Sequence, residues 1–244
     1  MSATFKREFK TYFTSPIGYI ILAMIFFISG LYFYAANMML RLTDLTIVYS
    51  NILSILMLLV LPVLTMRLMS DDKRMKTDQA LLTAPVSLTG IVMGKFLAAL
   101  VIFAIGLSIT IVFAIIIAFQ VTPDWMVIIG NFVGLLLLGG MIISIGLLIS
   151  SRTESQFIAA LGTFVVSFLL LMVDSLTSMF PSSQVLSAVV DFLSVSTRYN
   201  DFTIGIINYD NVLFFLSMQA LFLFLTVRVL DRKRWSGEED TSHE

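Results

Sequence analysis

The sequence predicts an all-α integral membrane protein with six transmembrane helices, and three observations predict it. Six stretches lack Asp, Glu, Lys and Arg over spanning lengths. The basic residues sort to one side of those stretches. And 58% of the 244 residues are hydrophobic against 13% charged, where a soluble domain has about a quarter charged. The uncharged runs are residues 11–40, 45–66, 96–123, 125–151, 155–173 and 211–227, holding 30, 22, 28, 27, 19 and 17 residues. A helix needs about 20 mostly apolar residues to cross the hydrocarbon core, and about 17 at the least, so the sixth run is the marginal one. Little is left for a soluble domain. Residues 1–235 read as one membrane domain and 236–244 as a polar tail.

Orientation follows from the basic residues. With the N-terminus in the cytoplasm, the inner segments hold thirteen Lys and Arg and the outer segments only Arg41 and Arg198. That bias places both termini in the cytoplasm, as expected of a multi-pass protein of the cytoplasmic (inner) membrane. The basic leader is followed by an apolar run too long for a signal-peptide core, so the first span is expected to stay in the mature protein.

Residues 1–15 predict an interfacial helix. Phe5, Phe9, Tyr12 and Phe13 fall on one helical face, while Lys6, Arg7 and Lys10 lie away from it, the pattern of a helix lying in the headgroup plane. Ser15 and Pro16 then start the first span. Residues 67–95 form the largest cytoplasmic loop, and six of the eight positions 71–78 are charged. Ser70 is expected to cap a helix with Asp71 and Asp72 in its first turn. That helix should run over 70–84 until Pro85 stops it, with a second beginning near Ser87 or Leu88 and entering the third span.

The fourth span is rich in glycine. Gly130 and Gly134 make a small-xxx-small pair, and Gly139 and Gly140 follow; such residues let helices approach closely, within the chain more readily than between copies. The segment 181–210 between the last two spans is too long for a tight turn. Its residues 185–195 read as a short helix at the outer surface or dipping into the membrane. The tail after Arg234 has the composition of a disordered segment.

Several chemistries are excluded. There is no cysteine, and the single histidine, His243, lies in the tail, so thiolate and histidine metal sites, HExxH proteolysis and cysteine nucleophiles have no residues to build them. Asp174 sits at the outer end of the fifth run, where solvation explains it, and no span has an acid or base at mid-depth. That weighs against a proton- or sodium-coupled carrier. Gly94-Lys95 is followed by Phe96, and Thr89 stands where a P-loop needs glycine, so the chain is expected to bind no ATP and to be no enzyme of its own. Nothing offers a face to nucleic acid.

The run from Asp71-Asp72-Lys73-Arg74 through Thr77-Asp78, Leu81-Leu82 and Pro85, followed by Gly94-Lys95, resembles the coupling loop of type-2 ABC exporter permeases. Ser150-Ser151-Arg152-Thr153-Glu154-Ser155-Gln156 and Phe202-x-x-Gly205 with Tyr209-Asp210 resemble the same permeases, and the closing Leu225-Thr226-Val227-Arg228, ending Arg234-Trp235, is similar to their gliding-motility branch, whose relatives include the nitrous-oxide-reductase maturation permease. Asp78 stands where Glu is commoner. The resemblance implies the type-2 exporter fold and a second permease copy or homologue. It also implies two copies of a cytoplasmic ABC ATPase carrying ATP and Mg, and an auxiliary membrane protein with an outer domain. Asp71, Asp72, Lys73, Arg74, Thr77, Asp78, Leu81, Leu82 and Pro85 are then the expected docking surface. Two other readings stay open: a membrane scaffold that anchors an ATPase without moving a solute, and a secondary transporter.

Overall fold

A computed structural model describes residues 2–40, 45–76, 87–119, 121–179 and 194–241, with side chains of 2–3, 174–179 and 233–241 outside the description. Every regular element among the described residues is helical. Helix α1 (Ser2–Thr14) stops at Ser15, whose hydroxyl accepts from the Ile17 amide at 3.4 Å while Pro16 opens α2 (Pro16–Phe33). A capping hydroxyl followed by proline is a strong helix start, so the chain turns here from one helix into the next. A π-helical stretch, Tyr34–Met39, extends α2.

The second span is built from α3 (Thr46–Ile55), a π-helical stretch (Leu56–Val60), α4 (Leu61–Thr65) and, after a turn, α5 (Ser70–Arg74). Pro62 accounts for the irregularity. It has no amide hydrogen and its ring crowds the preceding turn, so the helix widens just before it. The third span is α6 (Leu88–Leu107) and α7 (Ile109–Ala118), the fourth α8 (Trp125–Ser150) and the fifth α9 (Gln156–Met179). A short helix α10 (Val195–Thr203) precedes α11 (Tyr209–Thr241), which carries the sixth. Among the described residues six helices are therefore long and apolar enough to cross a membrane, the architecture of a multi-pass membrane protein.

Burial sorts the spans into two groups. The most apolar window is 72% buried in the fourth span, 56% in the second and 44% in the third, against 28%, 22% and 17% in the first, sixth and fifth. The first group forms a core in which Met57, Leu61, Ile102, Phe103, Ile142 and Leu147 are shielded almost completely. Glycine sets how closely these helices meet: a Cβ at Gly139 would lie 2.2 Å from a Phe103 ring carbon, and one at Gly146 would lie 2.5 Å from Thr65. The second group turns Phe27, Leu31, Phe157, Phe168, Leu213 and Phe224 outward. In lipid such a surface carries no hydrophobic penalty.

Three expectations need correction. The helix expected over 70–84 is not continuous: it ends at Arg74, and Lys76 at φ 53° takes a left-handed conformation that an α-helix cannot propagate. Ser70 is not its cap. The capping position falls on Met69, and the Ser150 hydroxyl of α8 accepts from the Met69 and Ser70 amides at 3.0 and 2.9 Å. The stretch after Arg234 is not irregular as far as Thr241, where α11 ends; extending an existing helix needs no new nucleus. Most of the outer helix expected over 185–195 lies outside the described residues.

Candidate functional site: two ends of the bundle

The bundle has a basic end, where α1, α5 and the start of α6 meet, and a far end, where α10 sits. At the basic end α1 lies across the start of α6 because Gly94 has no side chain; a Cβ there would come within 2.9 Å of the Thr4 Cβ. Phe5 and Phe9 stack at 5.7 Å, Phe9 and Phe13 approach to 5.0 Å, and Tyr19 meets Phe13 at 6.2 Å, an aromatic row running from α1 into the first span. Lys6 and Lys10 are exposed and Phe13 is 36% exposed.

Glu8 shares the face of Phe5, Phe9 and Tyr12, so the helix aims a carboxylate into the protein. Its partner is Lys95, only 2% exposed, whose Nζ lies 3.0 Å from the Glu8 Oε1 and 2.7 Å from the Asp72 Oδ2. One ammonium therefore ties α1, α5 and the third span together. The Arg7 guanidinium lies 2.8 Å from Glu8, and its pKa is raised, chiefly by that hydrogen bond, with the Glu8 and Asp72 charges adding to it against a desolvation that lowers it. Burial raises the Tyr12 hydroxyl well above its ordinary value, and the negative charge of Glu8 adds to that. Arg67 Nε is 2.5 Å from the Asp71 Oδ2, and the Gln156 amide donates to the other oxygen of the same carboxylate. All of these groups but Gln156 line a cavity of about 370 Å³, together with the apolar Ile17, Gly18, Leu64 and Leu68.

The residues expected to dock a partner thus divide. Asp71 and Asp72 are half-buried and engaged within the chain, and Lys73 is buried. Arg74 and Met75 face outward. Thr77, Asp78, Leu81, Leu82 and Pro85 lie outside the described residues.

At the far end, Gly130 and Gly134 receive α10: a Cβ on either would fall 2.7 or 2.8 Å from Phe202 atoms. Val195, Tyr199 and Phe202 are the buried face of α10. The Tyr199 hydroxyl donates to the Asn131 Oδ1 at 2.9 Å, and the Asn131 amide donates to the Val127 carbonyl at 2.8 Å. Asn211 donates to Asp201 at 2.7 Å, and Arg198 lies over the Phe214 ring at 4.2 Å. The Phe202-x-x-Gly205 spacing has a physical role. Gly205, at φ 78°, closes α10 with bonds from its amide to the Phe202 carbonyl and from the Ile206 amide to the Asp201 carbonyl, at 3.1 and 2.9 Å, a Schellman stop. Gly140 packs on Gln219, whose amide donates to the Leu137 carbonyl at 2.9 Å.

Glu8 and the Asn131–Tyr199 pair were not singled out from sequence, and Ser150 was named only as part of the resemblance, with no capping role. Glu8 alone carried a readable signal, an acid on an otherwise apolar helical face. No group of three His, Cys, Asp or Glu able to hold a metal occurs among the described residues. No protein-family model and no curated protein matches this chain.

Proposed function

We propose that this chain is the permease subunit of a type-2 ABC transporter in the cytoplasmic membrane, coupling ATP hydrolysis by a separate cytoplasmic ATPase to export or conformational work. The observation that carries the reading is the Lys95 clamp. A push on α5 or α1 reaches the third span through two ion pairs, because a buried ammonium cannot leave its carboxylates without a cost of several kcal/mol. The positive-inside bias supports placing this end in the cytoplasm with both termini, and the resemblance of residues 71–95 to a coupling loop supports an ABC ATPase as the source of force. The assembly holds two ATPase copies, a second permease copy or a homologue of it, and an auxiliary membrane protein, with ATP and Mg confined to the ATPases.

A scaffold that anchors the ATPase without moving solute is the second reading. It is favoured by the core of the second, third and fourth spans, filled by apolar side chains, and by exposed faces on the fifth span that are apolar along the bilayer. The test is a photo-crosslinker at Met75, which is 65% exposed, in native membranes. The reading expects an adduct with a P-loop ATPase whose yield changes between ATP-bound and nucleotide-free states. No ATPase adduct in either state contradicts it. Solute movement in reconstituted vesicles then separates the permease from the scaffold.

A further inference from the structure

A groove of about 720 Å³ runs between the start of α6 and the inner half of α11, away from the Lys95 clamp. Its walls are Val92, Phe96, Leu216, Ala220 and Leu223, with Arg228 at the mouth. The polar amide at its floor, Gln219, is satisfied by the Leu137 carbonyl at 2.9 Å, so the groove offers an apolar surface along its length. From Leu216 to Arg228 the helix rises ~18 Å, close to the ~15 Å of one leaflet's hydrocarbon.

The mouth has the opposite character. Arg228 is exposed, and its guanidinium lies 5.2 Å from the Phe224 ring centroid, the posture of a side chain that covers apolar surface with its stem and keeps its charge at the interface. Arg232, Lys233 and Arg234 follow on the same helix. Asp231, 3.9 Å from Arg228, is the one acid against these four cations within 228–234. A cluster of that size beside a span attracts anionic headgroups.

We infer that this groove binds an anionic phospholipid, one acyl chain lying along Val92 and Ala220 and the phosphate on Arg228. Charge complementarity selects a lipid over a partner helix: an apolar groove with an exposed guanidinium at its mouth matches an acyl chain beneath an anionic headgroup. The site does not depend on the identity of any ATPase.

The test uses the full chain in nanodiscs of phosphatidylglycerol and phosphatidylcholine, with retained lipid counted by native mass spectrometry. Wild type retains phosphatidylglycerol preferentially. Arg228→Gln lowers that preference about fivefold, the effect of one basic residue at a charged surface, whereas Arg228→Lys, which keeps the charge, leaves most of it in place. Ala220→Trp fills an exposed part of the groove and removes retention of both lipids, with monodispersity on gel filtration reporting the fold. Equal retention of the two lipids by wild type overturns the inference, as does an unchanged preference in Arg228→Gln. Displacement by inorganic phosphate with Ala220→Trp silent would mean a bare anion site and equally overturn it. So would disulfide formation between copies of Ala220→Cys in native membranes, which would place protein in the groove.

Discussion

The two ends of the bundle hold their surface helices by different means. At the basic end, α1 and α5 are fixed to the third span by full charges around Lys95. At the far end, α10 is fixed to the fourth span by shape, with its backbone set against Gly130, the Phe202 and Tyr199 rings against Gly134, and neutral hydrogen bonds around Asn131. The difference teaches where each end is vulnerable. Removing one member of a buried ion pair leaves an uncompensated charge, whereas removing one neutral hydrogen bond among several costs about 1 kcal/mol. The charged end is therefore an all-or-none connection and the neutral end a graded one.

Substitutions sharpen that contrast in descending order. Lys95→Met strands Glu8 and Asp72 together and should destabilise the protein by about 3–5 kcal/mol, read as a lowered thermal midpoint in detergent. Adding Glu8→Gln and Asp72→Asn should recover most of the loss. If the triple variant is no better than Lys95→Met alone, packing and not charge holds this end. Gly134→Ala should cost about 1–3 kcal/mol by overpacking against Phe202, and limited proteolysis between the last two spans should quicken while the basic end stays intact.

Ser150→Ala removes the hydroxyl that caps α5 from another helix. Its expected cost is about 0.5–2 kcal/mol, with faster amide exchange at Met69 and Ser70 as the signature. Tyr199→Phe ranks last, about 1 kcal/mol: the Asn131 Oδ1 loses its donor, while the Asn131 amide nitrogen keeps its bond to the Val127 carbonyl. A Tyr199→Phe effect larger than that of Lys95→Met would invert the comparison.

How much of this was legible depends on distance along the chain. The spans were readable because long uncharged runs are local facts, and the Ser15-Pro16 start and the Ser87 cap of α6, which accepts from the Gly90 amide at 3.3 Å, are local too. The clamp was not, because Glu8 and Lys95 lie 87 residues apart and no local rule pairs them. Glu8 was hidden among basic neighbours, although its place between Phe5 and Tyr12 required a buried partner. The Ser150 cap failed to show for the same reason: local reasoning looks for a cap in the preceding residue, and here the neighbouring span supplies it. In the outer segment, apolar composition drew attention to 185–195, while the amphipathic spacing of Val195, Tyr199 and Phe202 marked α10 just beyond it.

The account depends above all on the basic end facing the cytoplasm. The chain has no cysteine, so single cysteines at Met75 on that end and at Asn208 on the far end, both exposed, report sidedness directly with a membrane-impermeant maleimide. The account predicts that intact cells label Asn208→Cys and spare Met75→Cys, and that inverted vesicles do the reverse. Labelling of Met75→Cys in intact cells would put the clamp on the side without ATP and contradict the central claim.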